Sequence, residues 1–209
     1  MNAMVWGASG GIGGAIVRRL LDDGWQVAAV ARNAGDLAAP GACVMEGDVG
    51  SEYDVRQATM AAARELGHVD LWVYSVGDIL SAPVGTMQVD QWQRVITANL
   101  TGAFLATHHS LPLLSDNAHL VYLGAVHERL RLPGFAAYAA AKAGLEAFAA
   151  SLAKEERGRR VSVVRPGAVD TRLWEKVPMR LPKQALSADA VAERILALHQ
   201  DGHSGVVDL

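Results

Sequence analysis

Two side chains four positions apart, in the run Tyr138-Ala-Ala-Ala-Lys142, offer the strongest chemistry in this sequence. On a helix that spacing puts both on one face, roughly 5–6 Å apart at Cβ. A free tyrosine, with a pKa of about 10, transfers protons poorly at neutral pH. A neighbouring ammonium favours the phenolate, and lowering the pKa by ~2 units takes ~2.7 kcal/mol of differential stabilisation. Such tuning would bring the phenol toward the pH at which acid–base catalysis works. Tyr-x3-Lys pairs also arise by chance on surface helices. Here, however, residues 135–141 are almost wholly small or apolar, so the pair is expected to be buried.

The second candidate is Met4-Val5-Trp6-Gly7-Ala8-Ser9-Gly10-Gly11-Ile12-Gly13-Gly14. An apolar strand ends at Trp6, glycines follow, and a helix opens. Small residues let the backbone approach a bulky anion, and the free N–H groups and positive dipole end of the helix stabilise a pyrophosphate. The spacing Gly7-x3-Gly11-x-Gly13 differs from G-x-G-x-x-G, and no Gly-Lys-Ser/Thr follows to make a P-loop. A glycine-rich turn without a ligand is the bland alternative. The next strand ends Val30-Ala31-Arg32. In nucleotide-binding sheets this tip faces the adenosine ribose, where an acid accepts from a free 2′-hydroxyl and an arginine meets a 2′-phosphate. With Arg32 and no acid there, NADP(H) is favoured over NAD(H); a solvated surface arginine is the alternative.

Other features narrow the function. The net charge of −3 gives no reason to expect nucleic acid or an anionic membrane as partner. Cys43 is the only cysteine, which excludes an intrachain disulfide and a cysteine-clustered zinc site and suits the cytoplasm. No secretory signal is evident at the N-terminus. Residues 95–115 lack Asp, Glu, Lys and Arg but contain Asn99, His108, His109 and Pro112, which fits a buried or subunit-contact helix better than a membrane span. His108 and His109 are adjacent and lack an acidic ligand at i+4, so no metal site is expected. Arg157, Arg159 and Arg160 read as a solvated helix end.

These candidates need elements to position them. Apolar runs at 3–6, 26–31, 42–46, 71–75, 119–123, 161–164 and 205–208 read as strands, mostly without in/out alternation, as in parallel sheets covered on both faces. Helical patterns at about 11–22, 52–66, 91–113, 135–156 and 188–201 lie between them. With 51% hydrophobic residues in 209 and no repeat or linker, this predicts one α/β domain spanning 1–209, a Rossmann-like doubly wound fold with a seven-stranded parallel sheet.

With these motifs in this order, the sequence resembles the short-chain dehydrogenase/reductase family over nearly its whole length. Gly7-x3-Gly11-x-Gly13 is similar to that family's cofactor loop, and Asp48-Val49 to its adenine-ring contact. Asn99, in Ala98-Asn99-Leu100-Thr101-Gly102, matches the family's helix asparagine, and Tyr138 and Lys142 its acid–base pair. Pro166-Gly167-Ala168-Val169-Asp170-Thr171 resembles the segment on the nicotinamide. The resemblance implies a catalytic set of Tyr138, Lys142 and Asn99. It also implies a cofactor contact set of Gly7, Ser9, Gly11, Ile12, Gly13, Arg32, Asp48, Val49, Ser75, Gly77, Tyr138, Lys142, Pro166, Gly167, Val169 and Thr171. The implied reaction is hydride transfer between a nicotinamide and a small carbonyl or alcohol substrate, in a homodimer or homotetramer. Lys142 would hold the nicotinamide ribose and lower the Tyr138 pKa, and Asn99 would hold a water.

The sequence departs from the family at several points. Trp6 replaces a threonine, and Tyr74-Ser75-Val76-Gly77 lacks the amides that brace the sheet edge. The family's catalytic serine position holds Ala125, and no Ser or Thr occurs from 116 to 150. Losing such a donor typically slows a reaction ~10²–10³-fold. His127 is a candidate substitute, its alternative being a solvated loop histidine. The rival reading is a catalytically impaired nucleotide-binding sensor or scaffold. A short segment, 172–187, with Trp174, Met179 and Leu181, is expected to cover the substrate.

Overall fold

Short runs that are apolar at nearly every position favour burial, and in the computed structural model, which describes residues 1–33, 35, 37 and 39–209, they form strands, buried at the centre of the sheet and partly exposed at its edges. The strands are β1 (Asn2–Trp6), β2 (Gln26–Ala31), β3 (Cys43–Glu46), β4 (Val69–Tyr74), β5 (Leu114–Leu123), β6 (Arg160–Arg165), β7 (Val169–Asp170), β8 (Leu186–Ser187) and β9 (Gly205–Asp208). Seven of them make one sheet in the order β3-β2-β1-β4-β5-β6-β9, with every neighbouring pair parallel. The α/β Rossmann-like fold with a seven-stranded parallel sheet is therefore as expected.

Parallel strands need crossovers, and helices supply them on both faces. These are α1 (Gly11–Asp22), α2 (Glu52–Leu66), α3 (Val89–Ile96), α4 (Gly102–Ser110), α5 (Ala136–Glu155) and α6 (Ala188–Gln200). The two-residue period of a strand sorts its side chains between two cores. Ala3, Val5, Leu71 and Val73 meet Ile16 and Leu20 of α1 and Ile195 of α6. Met4, Trp6, Trp72 and Tyr74 meet Ala58 of α2, Ala106 of α4 and Leu145 of α5. The sheet order reverses between β1 and β4, whose carboxyl ends carry the glycine loop and residues 75–77. Ligands of open α/β sheets bind at such a switch point.

One expected element needed correction. The helix expected at 91–113 is divided: α3 runs into a wide π turn at Thr97–Thr101, then α4, then a short 3₁₀ turn at Leu111–Leu113 containing Pro112. The Tyr74 hydroxyl donates to the Ala98 carbonyl (2.8 Å) inside the π turn. Gly102 lies where an added Cβ would stand 2.6 Å from that hydroxyl. A donor inserted into the helical ladder and a missing Cβ are local causes of such a turn. The pair β7–β8 was not expected either. It pins both ends of the segment between Thr171 and Ala185, making it a closed flap. Among the described residues, no helix is long and apolar enough to cross a membrane.

At the amino end of the sheet, His119 on β5 is fully buried, with Nε2 2.8 Å from Ser162 Oγ on β6 and its ring stacked 5.5 Å from that of His199 on α6. Burial, then Arg160, His199 and His203, lower its pKa to about 3. The unfolded chain takes up this proton near pH 6.5, whereas the folded one resists it down to about 3. Acid therefore favours unfolding across that window, and the contribution of a neutral His119 is fully present only above it. Denaturant unfolding should show stability falling from pH 6.5 toward pH 4 with a slope approaching ~1.4 kcal/mol per pH unit. His119→Gln should flatten that slope; an unchanged slope would rule this histidine out as the cause.

Candidate active site

The glycine loop is held by contacts that only glycine allows. Gly7 takes a left-handed φ of +82°, and its N–H and that of Ala8 both donate to the Val30 carbonyl (3.0 Å each). A Cβ on Gly7 would stand 2.8 Å from the Val76 nitrogen. A Cβ on Gly13 would collide with the Gly7 carbonyl oxygen, and one on Gly11 would lie 2.7 Å from Thr171 Cγ2. The loop therefore packs against both the β4 end and the segment after β6. The α1 N-cap is Gly10, which offers no side-chain cap, and the first turn carries no acid. Its leading amides are left for an external acceptor, beside exposed Ser9 and half-buried Ile12. The bracing expected to be missing after β4 comes from Ser75, whose Oγ donates to the Trp6 carbonyl (2.6 Å).

Adjacent strand tips carry the remaining nucleotide candidates. Arg32 is exposed just past β2. Asp48, just past β3, is exposed and accepts from the Gly50 N–H (2.8 Å), while Val49 is buried against Gly102.

Tyr138 and Lys142 emerge from the buried face of α5, 8% and 4% exposed. The Lys142 amine donates to the Leu123 carbonyl at the end of β5 (2.7 Å) and lies 5.6 Å from the Tyr138 ring centre. Burial lowers the Lys142 pKa to about 8 and raises that of Tyr138 well above the ordinary phenol range. The sequence expectation that the ammonium pulls the phenol pKa down is thus reversed in the protein alone. Desolvation of the phenolate outweighs the neighbouring charge. Asn99, fully buried in the π turn, donates from Nδ2 to the carbonyls of Asp78 (2.6 Å) and Val95 (2.9 Å). Its Oδ1 is buried without a hydrogen-bond partner among the described residues. A Cβ on Gly77 would meet Asn99 Oδ1 at 3.2 Å and Lys142 Nζ at 4.0 Å, so Gly77 keeps the space between them open.

These groups border one cleft of about 400 Å³ at the carboxyl edge of the sheet. Of the sequence candidates, Ile12, Ser75, Gly77, Tyr138, Lys142, Pro166, Gly167, Val169 and Thr171 line it. Asn99 lies behind Gly77, and the remaining loop and strand-tip residues extend away along the same edge. Ala125 faces the cleft, but His127 does not line it. The His127 ring meets Glu146 (3.4 Å) and Glu128 (3.6 Å), so it cannot take over a serine's task from there. No metal-binding cluster occurs among the described residues. The side-chain-free cradle, the uncapped helix end and the buried amine fit a dinucleotide, whose pyrophosphate the α1 amides would hold and whose ribose Lys142 would hold.

Sequence reasoning missed one polar centre. Asp78, nearly buried, accepts from Lys176 Nζ (2.6 Å) through Oδ1 and pairs with Arg94 Nε (2.8 Å) through Oδ2. Lys176 belongs to the flap, so Asp78 ties the flap to the residue whose carbonyl orients Asn99. Its partners lie far apart in sequence, and no spacing could reveal the group. Leu173 and Val177 of the flap pack on the core around Ile79, Phe135 and Tyr138. Trp174 and Met179 line the cleft, as the expected apolar cover requires, whereas Leu181 does not.

A family model described as short chain dehydrogenase matches residues 1–181. The chain is 33% identical over 213 residues to 3beta-hydroxysteroid dehydrogenase 1 of Eggerthella lenta, covering 94% of this chain and 79% of that one. A crystal structure of a dehydrogenase/reductase from Sinorhizobium meliloti is 27% identical, with a TM-score of 0.86, covering 99% of this chain and 93% of that one. An alcohol dehydrogenase from Thermococcus sibiricus, complexed with 5-hydroxy-NADP, shares the fold at 24% identity and a TM-score of 0.89, covering 100% and 95%. The chain therefore belongs to the short-chain dehydrogenase/reductase family, oxidoreductases that use nicotinamide cofactors.

Proposed function

We propose that this protein is an NADP(H)-dependent oxidoreductase that moves a hydride between the nicotinamide and a carbonyl or alcohol carbon. The observation that carries the reading is the buried amine of Lys142, held on the Leu123 carbonyl beside Tyr138 in a cleft that opens toward the glycine loop. When bound, the cofactor supplies the hydride chemistry and the protein supplies position and protons. Tyr138 gives its hydroxyl proton to the substrate oxygen in reduction and takes it back in oxidation. Lys142 binds the nicotinamide ribose, and its charge lowers the phenol pKa once substrate and ribose replace the apolar surroundings that now raise it. Asn99 Oδ1, buried without a partner, suits a water that returns protons to Tyr138. With Ala125 in the wall, polarising the substrate oxygen falls to Tyr138. Exposed Arg32, with no acid at 31–33, supports NADP(H) over NAD(H). One domain over 1–209 acting as a homodimer or homotetramer in the cytoplasm completes the proposal. Phe104, 48% exposed on α4 beside Phe148 of α5, supports the assembly.

Ala125 is the sole observation that favours a nucleotide sensor instead, and one panel separates the readings. Oxidation of NADPH with a range of aldehydes and ketones should be measurable and should fall at least ~10²-fold in Tyr138→Phe. Ala125→Ser should raise the rate, toward the ~10²–10³-fold worth of one such donor. Tight nucleotide binding with turnover only after serine is introduced would support the sensor.

Two variants test how the site is held. The Lys142 shift corresponds to roughly 3 kcal/mol of burial penalty, in force below pH 8 and relieved between 8 and 10.5, where the unfolded lysine still holds its proton. Lys142→Met loses the bond to Leu123 but also this penalty, so at pH 7 it should be more stable by on the order of 1 kcal/mol and inactive. A loss of stability at pH 7 would contradict the penalty. Lys176→Met should raise KM about fivefold or more with a smaller change in kcat and speed tryptic cleavage within the flap, because a partly buried charge pair is broken. Unchanged KM and cleavage would show that the pair does not hold the flap.

A further inference from the structure

The substrate end of the cleft combines an apolar interior with a cation at its mouth. Beyond Tyr138 its walls are Ile79, Leu130, Phe135, Leu173, Trp174 and Val177, and among the described residues no acidic side chain lines it. Among the described residues two charged side chains do, Lys142 and Arg129. Lys142 is buried and its amine is engaged by Leu123. Arg129, on the short 3₁₀ turn His127–Leu130, is exposed, and among the described residues its guanidinium makes no hydrogen bond or ion pair.

The contrast with nearby Arg165 is instructive. That arginine takes both oxygens of Asp208 (2.6 and 3.0 Å) as well as Glu128 (3.2 Å) and Glu146 (3.1 Å). Arg165 thereby takes the direct contacts of these three carboxylates, and Arg129 feels Asp208 only at longer range. Segments 127–131 and 172–183, which supply Arg129 and the flap, hold six Lys and Arg against two Glu in a chain of net charge −3. A positive rim around a low-dielectric cleft concentrates anions. A planar guanidinium with free N–H groups matches a carboxylate through paired hydrogen bonds.

We propose that the substrate is an amphipathic carbonyl compound or alcohol with an apolar ring or chain and one carboxylate, which Arg129 receives at the mouth while the reacting oxygen faces Tyr138. This assignment rests on the dehydrogenase reading and adds the substrate class to it. Arg129 acts here as a specificity residue, outside the proton-transfer set. A dicarboxylate or phosphorylated sugar would bring more polar groups than the interior can satisfy.

The test uses matched ketones: a straight-chain methyl ketone against the same ketone ending in a carboxylate, and acetophenone against its para-carboxylate. The wild-type kcat/KM should favour the carboxylate of each pair by roughly five- to tenfold, with the preference shrinking as salt is added. Arg129→Met should bring the ratio to about one, Arg129→Lys should keep part of it, and Arg180→Met, on the flap but outside the cleft lining, should keep most of it. Calorimetry gives a readout independent of turnover: the para-carboxylate should bind the wild type more tightly than Arg129→Met by a similar factor. Equal use of both members, or a preference that survives Arg129→Met or is lost equally in Arg180→Met, overturns the substrate class and leaves the dehydrogenase reading standing. Turnover of neither member by a protein that binds nucleotide overturns the dehydrogenase reading and the substrate class with it.

Discussion

An ammonium group with almost no access to water needs a fixed partner, and Lys142 finds one in the Leu123 carbonyl at the end of β5. That bond sets the register of α5 against the sheet. The register in turn decides where Tyr138, one turn earlier, meets the cleft. Leu123 can present its carbonyl because β5 stops there and Gly124, whose own N–H donates to the Val164 carbonyl (2.8 Å), turns the chain away. A Cβ at Gly124 would stand 2.7 Å from Val163 Cγ1, so the turn depends on glycine. The candidate site is thus an extension of the sheet, and its precision comes from strand ends rather than loops.

The same burial creates the chemical tension of the site. Desolvation disfavours the charged form of each group, lowering the lysine and raising the tyrosine. A ligand that brings hydroxyls and charge into the cleft would change both surroundings at once, so in the proposed reaction Tyr138 and Lys142 would become competent for proton transfer only in the loaded protein. Ala125 sharpens this dependence. Where the resemblance leads one to expect a hydroxyl, this chain has a methyl group, and in the proposed reaction the phenol would both orient and protonate the reacting oxygen. On that reading the Asp78–Lys176 pair gains weight, because a flap held closed would exclude water and strengthen the one donor left.

Much of this was legible in the sequence, for identifiable reasons. Strands such as Met4-Val5-Trp6 and Leu71-Trp72-Val73 are apolar at consecutive positions, a pattern that only a sheet covered on both faces requires. Gly7, Gly11 and Gly13 marked the cradle because nothing larger fits at those contacts. Tyr138 and Lys142 were found through helical spacing in small-residue surroundings. What escaped depends on tertiary partners. The π turn at Asn99 follows from Tyr74 reaching Ala98, the β7–β8 pair from a two-residue match too short to carry a pattern, and the flap anchor from Lys176 meeting Asp78 across 98 positions. His127 misled because its place in the chain suggested the cleft, while its ring turns to Glu146 and Glu128.

The central claim is that the glycine-lined edge and the buried lysine together receive a nicotinamide dinucleotide. Titration calorimetry of the folded protein with NADPH and NADH tests it most directly. The account predicts saturable one-site binding of at least one of them, tighter for NADPH, with the difference reduced in Arg32→Ala. A folded protein that takes up neither nucleotide would contradict it.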